Sequence, residues 1–224
     1  PMIPDPSSVL QLKDAPPITQ GRMRMVYRHP HEPRLLVKVI RPDVIEQRWG
    51  SGAPWYKSRR RYRQYISYIR ETEEYVAAYA QHGTSLPFAQ KIVGFTETDL
   101  GLGLVMEAAL AREGNLAPAL PTLFKRQAFD RKVSEDLEEF IRLMVESDLI
   151  VADLNLGNIV YAYDAVRDKD HFVIIDGLGV STILPFKLLS RTFNRRSKLG
   201  RVKRLRFRIA RMFRNYPQPE FPGS

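Results

Sequence analysis

The chain of 224 residues contains no cysteine, which excludes a disulfide framework, a thiolate metal site and a cysteine nucleophile. It also lacks any run of about 18 uninterrupted apolar residues, which argues against a membrane-spanning helix. The first five residues, Pro1–Asp5, lack the basic-then-apolar pattern of a secretory signal. We therefore expect a cytoplasmic location.

Acidic residues are missing from positions 177–219, where twelve basic residues lie between Lys187 and Arg214. Subtracting these 12 from the 35 basic residues of the chain leaves 23, against 25 acidic residues. The remainder of the chain is therefore nearly neutral, and the net charge of +10 belongs largely to this C-terminal segment.

An amphipathic helix is predicted over residues 198–214, because apolar residues recur there every three or four positions. They are Leu199, Val202, Leu205, Ile209 and Met212 or Phe213, and Lys198, Arg201, Arg204, Arg208 and Arg211 fill other faces. Such a helix can lie on an anionic membrane surface at the inner face, or it can dock its apolar stripe on the protein. Nucleic acid is less favoured as a partner, because no series of stacking aromatic residues accompanies the charge.

Hydrophobic periodicity predicts an α+β protein with a strand-rich first half and a helix-rich second half. After an extended, proline-rich leader over residues 1–17, the pattern predicts strands around 18–28, 35–40, 91–95 and 103–106, with a helix over about 62–80 and a turn at 98–101. A second helix is predicted over 134–148 with Ser134 as its N-cap. Two short strands, 158–161 and 172–175, follow and are separated by a polar insertion over 164–170.

The candidate chemistry lies in the loops that follow the second helix. Asp153 and Asn158 are five positions apart on one loop, and Asp176 ends an apolar strand and precedes Gly177. Phosphoryl transfer needs a carboxylate to orient the attacking hydroxyl, and an Asn and a second Asp to hold magnesium on the nucleotide phosphates. This pattern makes Asp153 the candidate base and Asn158 and Asp176 the candidate metal ligands. Asp153 could instead cap the local backbone, a common use of aspartate in loops.

Lys38 lies in the middle of the apolar run Leu36–Ile40 on an early predicted strand. Lysine is rarely buried without a partner, so Lys38 either faces solvent or has a specific role.

Together these segments resemble protein kinases and, more narrowly, the YrbL family of PhoP regulatory network proteins. The resemblance covers about residues 18–198 and rests on five segments, Gly21–Pro30, Leu36–Val39, Leu156–Ile159, Ile175–Gly179 and Ser181–Pro185. It implies a two-lobed protein-kinase-like fold, with a small β-rich N-lobe over 18–106 and a shortened helical C-lobe over 107–197. The basic helix, at 198–216, and a tail at 217–224 would follow.

The resemblance also implies roles for individual residues in binding ATP and Mg²⁺. Lys38 would contact the α- and β-phosphates and pair with Glu71, although Glu74 remains open as its partner and Glu73 should point elsewhere. Gly21 and Val26 would belong to the loop that covers the phosphates, and Met106 and Glu107 to an inter-lobe hinge that touches adenine.

Four positions depart from the kinase pattern. Thr19 and Arg24 stand where two loop glycines are expected, Val151 replaces the catalytic-loop histidine, and Asn155 replaces a lysine. After Asp176 there is no Ala-Pro-Glu motif. We therefore expect an ATP- and magnesium-dependent phosphotransferase that acts on a small-molecule or lipid-linked hydroxyl. The alternatives are a pseudokinase-like regulatory protein acting by partner binding, and a basic membrane or nucleic-acid adaptor whose core is only a scaffold.

Overall fold

The computed structural model describes residues 9–52, 54, 61–179 and 191–221. Ser181–Pro185, which contributes to the family resemblance, lies outside them. Strands β1–β7 are Thr19–Gln20, Arg24–Arg28, Leu35–Ile40, Ile92–Thr98, Gly101–Glu107, Ile159–Asp164 and Lys169–Ile174. Helices α1–α5 are Pro42–Trp49, Ile66–His82, Leu120–Lys125, Arg131–Glu146 and Arg191–Asn215. The predicted α+β class is confirmed.

The chain divides into two compact units. One consists of Pro1–Thr72 and Lys91–Ala108, and the other of Glu73–Gln90 and Ala109–Ser224. Helix α2 begins in the first unit and ends in the second.

The first unit is built on an antiparallel sheet of five strands in the order β1-β2-β3-β5-β4. The four strands predicted in this part of the chain are confirmed, and the predicted turn joins Thr98 to Gly101, which pair across the hairpin. Gly101 has a φ of +101°, a left-handed conformation that glycine adopts without strain. Strand β3 is the middle strand, and five of its six residues are buried. Any side chain on β3 is thus held by neighbours on both edges.

The described part of the predicted leader, residues 9–17, packs on the first unit. Leu10 forms a parallel bridge with Thr98, and both Leu10 and Leu12 belong to the apolar core of the first unit. The Leu12 amide donates to Asp99 Oδ1 at 2.8 Å. The alternation of Leu10 and Leu12 is a strand pattern too short to stand out among the surrounding prolines.

The second unit has one main apolar core, to which α3, α4, β6, β7 and α5 all contribute. Helix α4 begins at Arg131, and its N-cap is Asp130, whose side chain accepts from the Val133 amide, so the prediction of Ser134 as N-cap is wrong. The earlier start adds Val133 to the buried face of the helix, which explains why the longer helix is favoured.

The polar insertion predicted over residues 164–170 is divided between the ends of β6 and β7 and the turn that joins them. The two strands pair from Ile159↔Ile174 to Asp164↔Lys169, which leaves only a four-residue turn at 165–168. Helices α1 and α3 are short and were not predicted, because neither spans enough residues to show a helical period.

Helix α5 is longer than predicted and docks its apolar stripe on the second unit. Val202, Leu205 and Ile209 are buried in the main core. Leu199, in contrast, is 49% exposed, and Lys198 is 1% exposed, so the sequence analysis assigned these two residues to the wrong faces. At 100° per residue Lys198 lies between Leu205 and Ile209 on the helix surface, whereas Leu199 lies outside that arc.

Candidate active site

Lys38 is buried at the centre of the first unit and forms an ion pair with Glu71. It is 5% exposed, and its Nζ lies 3.4 Å from Glu71 Oε2. Lys38 pairs with Val26 of β2 on one side and with Leu104 of β5 on the other. The Tyr68 hydroxyl donates to the Lys38 carbonyl at 2.8 Å. The solvent-face alternative for Lys38 is therefore wrong, because the ammonium is enclosed and paired.

Glu71 also contacts a second cation that the sequence analysis did not assign to it. Arg24 Nη1 hydrogen-bonds to Glu71 Oε1, and Glu71 is 7% exposed. Arg24 lies two residues before Val26 on β2, on the same face of the sheet as Lys38. One buried carboxylate thus contacts both Lys38 and Arg24.

Glu74, the alternative partner for Lys38, has a different role in the second unit. Its Oε2 accepts from the Ile150 amide at 2.8 Å. Burial raises the pKa of the Glu74 carboxyl, while the hydrogen bond from Ile150 opposes this shift. Glu73 is exposed, in line with its expected direction.

Asp153 lies on the loop after α4, directly against the segment that contains Asp176. The Gly177 carbonyl accepts from the amides of Ala152 and Asp153, at 2.7 and 3.1 Å. Gly177 has a φ of +89°, and a Cβ atom there would lie 2.3 Å from the Asp153 carbonyl oxygen. Glycine is therefore required after Asp176 for both conformation and space. The Asp153 side chain itself is exposed.

Asn158 lies at the start of the β6–β7 hairpin, beside Asp176 at its end. The Ile175 amide donates to the Asn158 carbonyl at 2.9 Å, and the Gly177 amide donates to Asp176 Oδ1 at 2.7 Å. Both side chains are half-buried. An amide oxygen and a carboxylate are ligands that suit Mg²⁺, which usually keeps water and phosphate oxygens in its other positions.

The loop that bears Asp153 is held by three polar residues of α5. They occupy positions i, i+4 and i+7 and therefore share one face of the helix. Asn194 Nδ2 donates to the Asp148 carbonyl at 2.8 Å. Lys198 Nζ donates to the Met144 carbonyl at 2.9 Å and also to the Ser147 carbonyl. Arg201 Nε donates to the Ala152 carbonyl at 3.0 Å. Each of these carbonyls belongs to the end of α4 or to the loop after it.

Lys198 and Arg201, the two cations among these three residues, have lowered pKa values. Burial lowers the pKa of the Lys198 ammonium to about 8, against the opposing effects of Asp148 and Glu74. Burial also lowers the pKa of the Arg201 guanidinium, with a further lowering by Arg204. The feature of the sequence that could have identified these residues is their helical spacing beside the apolar stripe.

The remaining predicted residues lie in the first unit. Gly21 lies in the turn between β1 and β2, and its amide donates to the Arg24 carbonyl at 2.8 Å. A Cβ atom added to Gly21 would lie 3.5 Å from the Arg24 carbonyl oxygen, which is an ordinary contact distance. Val26 is half-buried, and Met106 on β5 is 1% exposed. Glu107 pairs with Lys91 at 2.5 Å. The predicted contacts of these four residues with nucleotide stay predictions.

Two searches of the described residues give negative results. Among residues 9–52, 54, 61–179 and 191–221, no group of three or more His, Cys, Asp or Glu side chains could hold a metal ion. Within the same ranges no helix combines the length and apolar character needed to cross a membrane.

Comparison with known proteins gives a family match and several structural likenesses. The family model described as "PhoP regulatory network protein YrbL" matches residues 10–210. No curated protein matches the chain. Two mutant forms of the Mycobacterium tuberculosis PknI kinase domain are 16% and 17% identical, with TM-scores of 0.41 and 0.42, and each is matched over 72% of this chain.

Rad53 in complex with AMP-PNP is 16% identical, with a TM-score of 0.42 over 72% of this chain and 37% of that chain. The chain spans 57% and 56% of the two PknI domains. Since the family model covers most of the sequence, the chain belongs to the YrbL family of PhoP regulatory network proteins.

Proposed function

We propose that the chain is an ATP- and Mg²⁺-dependent phosphotransferase that acts on a small-molecule or lipid-linked hydroxyl at the cytoplasmic side of the membrane. The observation that carries this proposal is the backbone contact of Gly177 with Ala152 and Asp153, together with that of Ile175 with Asn158. These contacts bring Asp153, Asn158 and Asp176 into one part of the second unit. The enclosed pair of Lys38 and Glu71 gives further support.

Each residue has a defined task in this reaction. Lys38 would neutralise charge on the α- and β-phosphates, and Asn158 and Asp176 would supply oxygen ligands to magnesium, whose charge would screen the phosphates. The acceptor hydroxyl oxygen attacks the γ-phosphorus, its proton passes to the Asp153 carboxylate, and the bond from the γ-phosphorus to the bridging oxygen breaks to release ADP. The exposed carboxylate of Asp153 suits an acceptor that arrives from solvent.

The test is magnesium-dependent nucleotide binding followed by turnover. We expect ATP with MgCl₂ to raise the melting temperature of the purified chain, since a ligand at 100 times its Kd stabilises a protein by about 2.7 kcal/mol. Asp176→Asn should weaken this shift. Asp153→Ala should retain it and abolish ADP formation with lipid extracts or small hydroxyl compounds. Asp14→Asn, at an exposed position, is the control for both. The absence of any nucleotide-induced shift would contradict the proposal.

A regulatory, pseudokinase-like function is the second candidate, and the contact of Arg24 with Glu71 favours it. Arg24 stands where a loop glycine is expected and adds a second cation to the carboxylate that should serve Lys38. Val151 and Asn155 also depart from the catalytic pattern. For this function we expect a nucleotide-induced shift that Asp176→Asn weakens, with ADP formation no higher than in Asp153→Ala for every acceptor.

A further inference from the structure

The outward face of α5 is a basic surface with apolar side chains among the charges. Its exposed basic residues are Arg195, Arg196, Lys203, Arg204, Arg206, Arg208, Arg211 and Arg214. No acidic residue occurs between Arg191 and Asn215. Among these cations, Arg206 is ion-paired with Glu138 of α4 at 2.7 Å and lies toward the flank of the helix.

The centre of this face is an exposed phenylalanine. At 100° per residue, Arg196, Lys203, Phe207 and Arg214 fall within about 40° of arc, on the side opposite the buried stripe. Phe207 is 69% exposed, and Leu199, toward one edge, is 49% exposed. Large apolar side chains placed among cations are suited to an interface that is both anionic and apolar.

We infer that this face of α5 binds the surface of an anionic phospholipid bilayer. The cations match lipid phosphates, and Phe207 and Leu199 match the boundary between headgroups and acyl chains. From Arg195 to Arg214 this face extends along about 28 Å of the helix. The inner stripe of α5 stays in the protein core, so binding requires no undocking of the helix.

Charge complementarity alone would also fit a nucleic acid, but the exposed apolar side chains favour lipid. Nucleic-acid surfaces of comparable charge use aromatic side chains in series to stack bases, whereas Phe207 is the one exposed aromatic residue of α5 over residues 194–215. The inference does not depend on phosphotransfer and can fail or succeed separately from it.

The experiment is cosedimentation of the full chain with vesicles. We expect binding to vesicles of phosphatidylglycerol and phosphatidylcholine in equal parts, no binding to phosphatidylcholine alone, and weakening by salt. Each cation near an anionic surface contributes roughly a fivefold factor to the binding constant. The variant Lys203→Gln/Arg211→Gln/Arg214→Gln should therefore lose about a hundredfold in affinity, and Phe207→Ala several-fold.

The matched control is Lys125→Gln/Arg126→Gln/Arg142→Gln, which removes the same charge from exposed positions on and just after α3 and on α4. It should bind lipid within about fivefold of the unchanged chain, the factor for one surface cation. Circular dichroism of each variant verifies folding. Equal binding to both vesicle types, or equal loss in the two triple variants, would overturn the inference. So would tighter binding to duplex DNA than to the anionic vesicles at the same salt concentration.

Discussion

At the scale of single residues, the buried carboxylate of Glu71 is central to the electrostatics of the first unit. Two cations, Lys38 and Arg24, contact it, and all three side chains are largely removed from water. Removing one partner of a buried ion pair leaves charge without compensation, which costs far more than the intact pair contributes.

Glu71→Gln should therefore destabilise the protein by about 3 kcal/mol, because an amide carries no negative charge to attract Lys38 and Arg24. Denaturant unfolding followed by circular dichroism measures this change. The exposed Glu73→Gln, two positions along the same helix, should alter the free energy of unfolding by no more than about 0.5 kcal/mol. Equal effects of the two variants would show that the carboxylate of Glu71 has no special role.

Gly177 provides a second test at this scale. Gly177→Ala should cost about 2 kcal/mol or more, since the methyl group meets the Asp153 carbonyl oxygen and the backbone has a positive φ. Gly157→Ala is the matched control, because a Cβ there would have no atom within 4 Å. Thermal unfolding of both variants measures the difference. A harmless Gly177→Ala would contradict the close approach of the two loops.

Local spacing predicts roles for Asp153, Asn158 and Asp176, and these roles stay predictions. The pairing of Lys38 with Glu71 was implied by the family resemblance, and the structure contains this ion pair. The contact between Arg24 and Glu71 was not predicted, because it depends on strand register. The register pairs Arg24 with Ile40, and no short motif encodes it. Lys198 was assigned to a solvent face because lysine is rarely buried. Its hydrogen bonds to carbonyls at the end of α4 can be seen only in three dimensions.

At the scale of elements, α5 positions the loop of Asp153 through its inner polar face. Asn194, Lys198 and Arg201 all donate to carbonyls of that region. We call these three side chains the α5 clamp. Lys198 is the most enclosed of them, and its lowered pKa makes the clamp sensitive to pH.

The pH dependence of stability should show the titration of Lys198. Its pKa is about 8 in the folded chain and about 10.5 when unfolded, so between these values the unfolded state binds more protons. Stability should thus rise with pH across this window, by up to about 1.4 kcal/mol per pH unit. Lys198→Met should lack this rise and Lys203→Met, exposed on the same helix, should retain it. Urea unfolding at pH 8 and 10 measures both. Parallel pH profiles for the three proteins would refute the assignment.

At the scale of the whole molecule, each unit has its own apolar core, and α5 completes that of the second unit. Leu205 is fully buried there, whereas Leu199 on the same helix is half-exposed. The predicted and observed strands agree closely in the first unit, because each has a clear alternation or apolar run. The packing of the leader was not predicted and the faces of Lys198 and Leu199 on α5 were misjudged, because short or strongly charged segments show little hydrophobic contrast.

Leu205→Ala should reduce the free energy of unfolding by about 3 kcal/mol, through lost apolar burial and the cavity left behind. Leu199→Ala should change it by less than about 1 kcal/mol, since half of that side chain already contacts water. Denaturation monitored by helical circular dichroism measures both. If the two substitutions cost the same, α5 is not docked by the stripe described.

The position of the clamp in the chain also sets the order in which the molecule can mature during synthesis. Arg201 follows Asp153 by about 50 residues. At translation rates of about 5–20 residues per second, the donors of α5 emerge roughly 2 to 10 s after the loop that they hold. The strands of the first unit can pair earlier, whereas the hydrogen bond of Arg201 to this loop can form only when translation has passed Arg201.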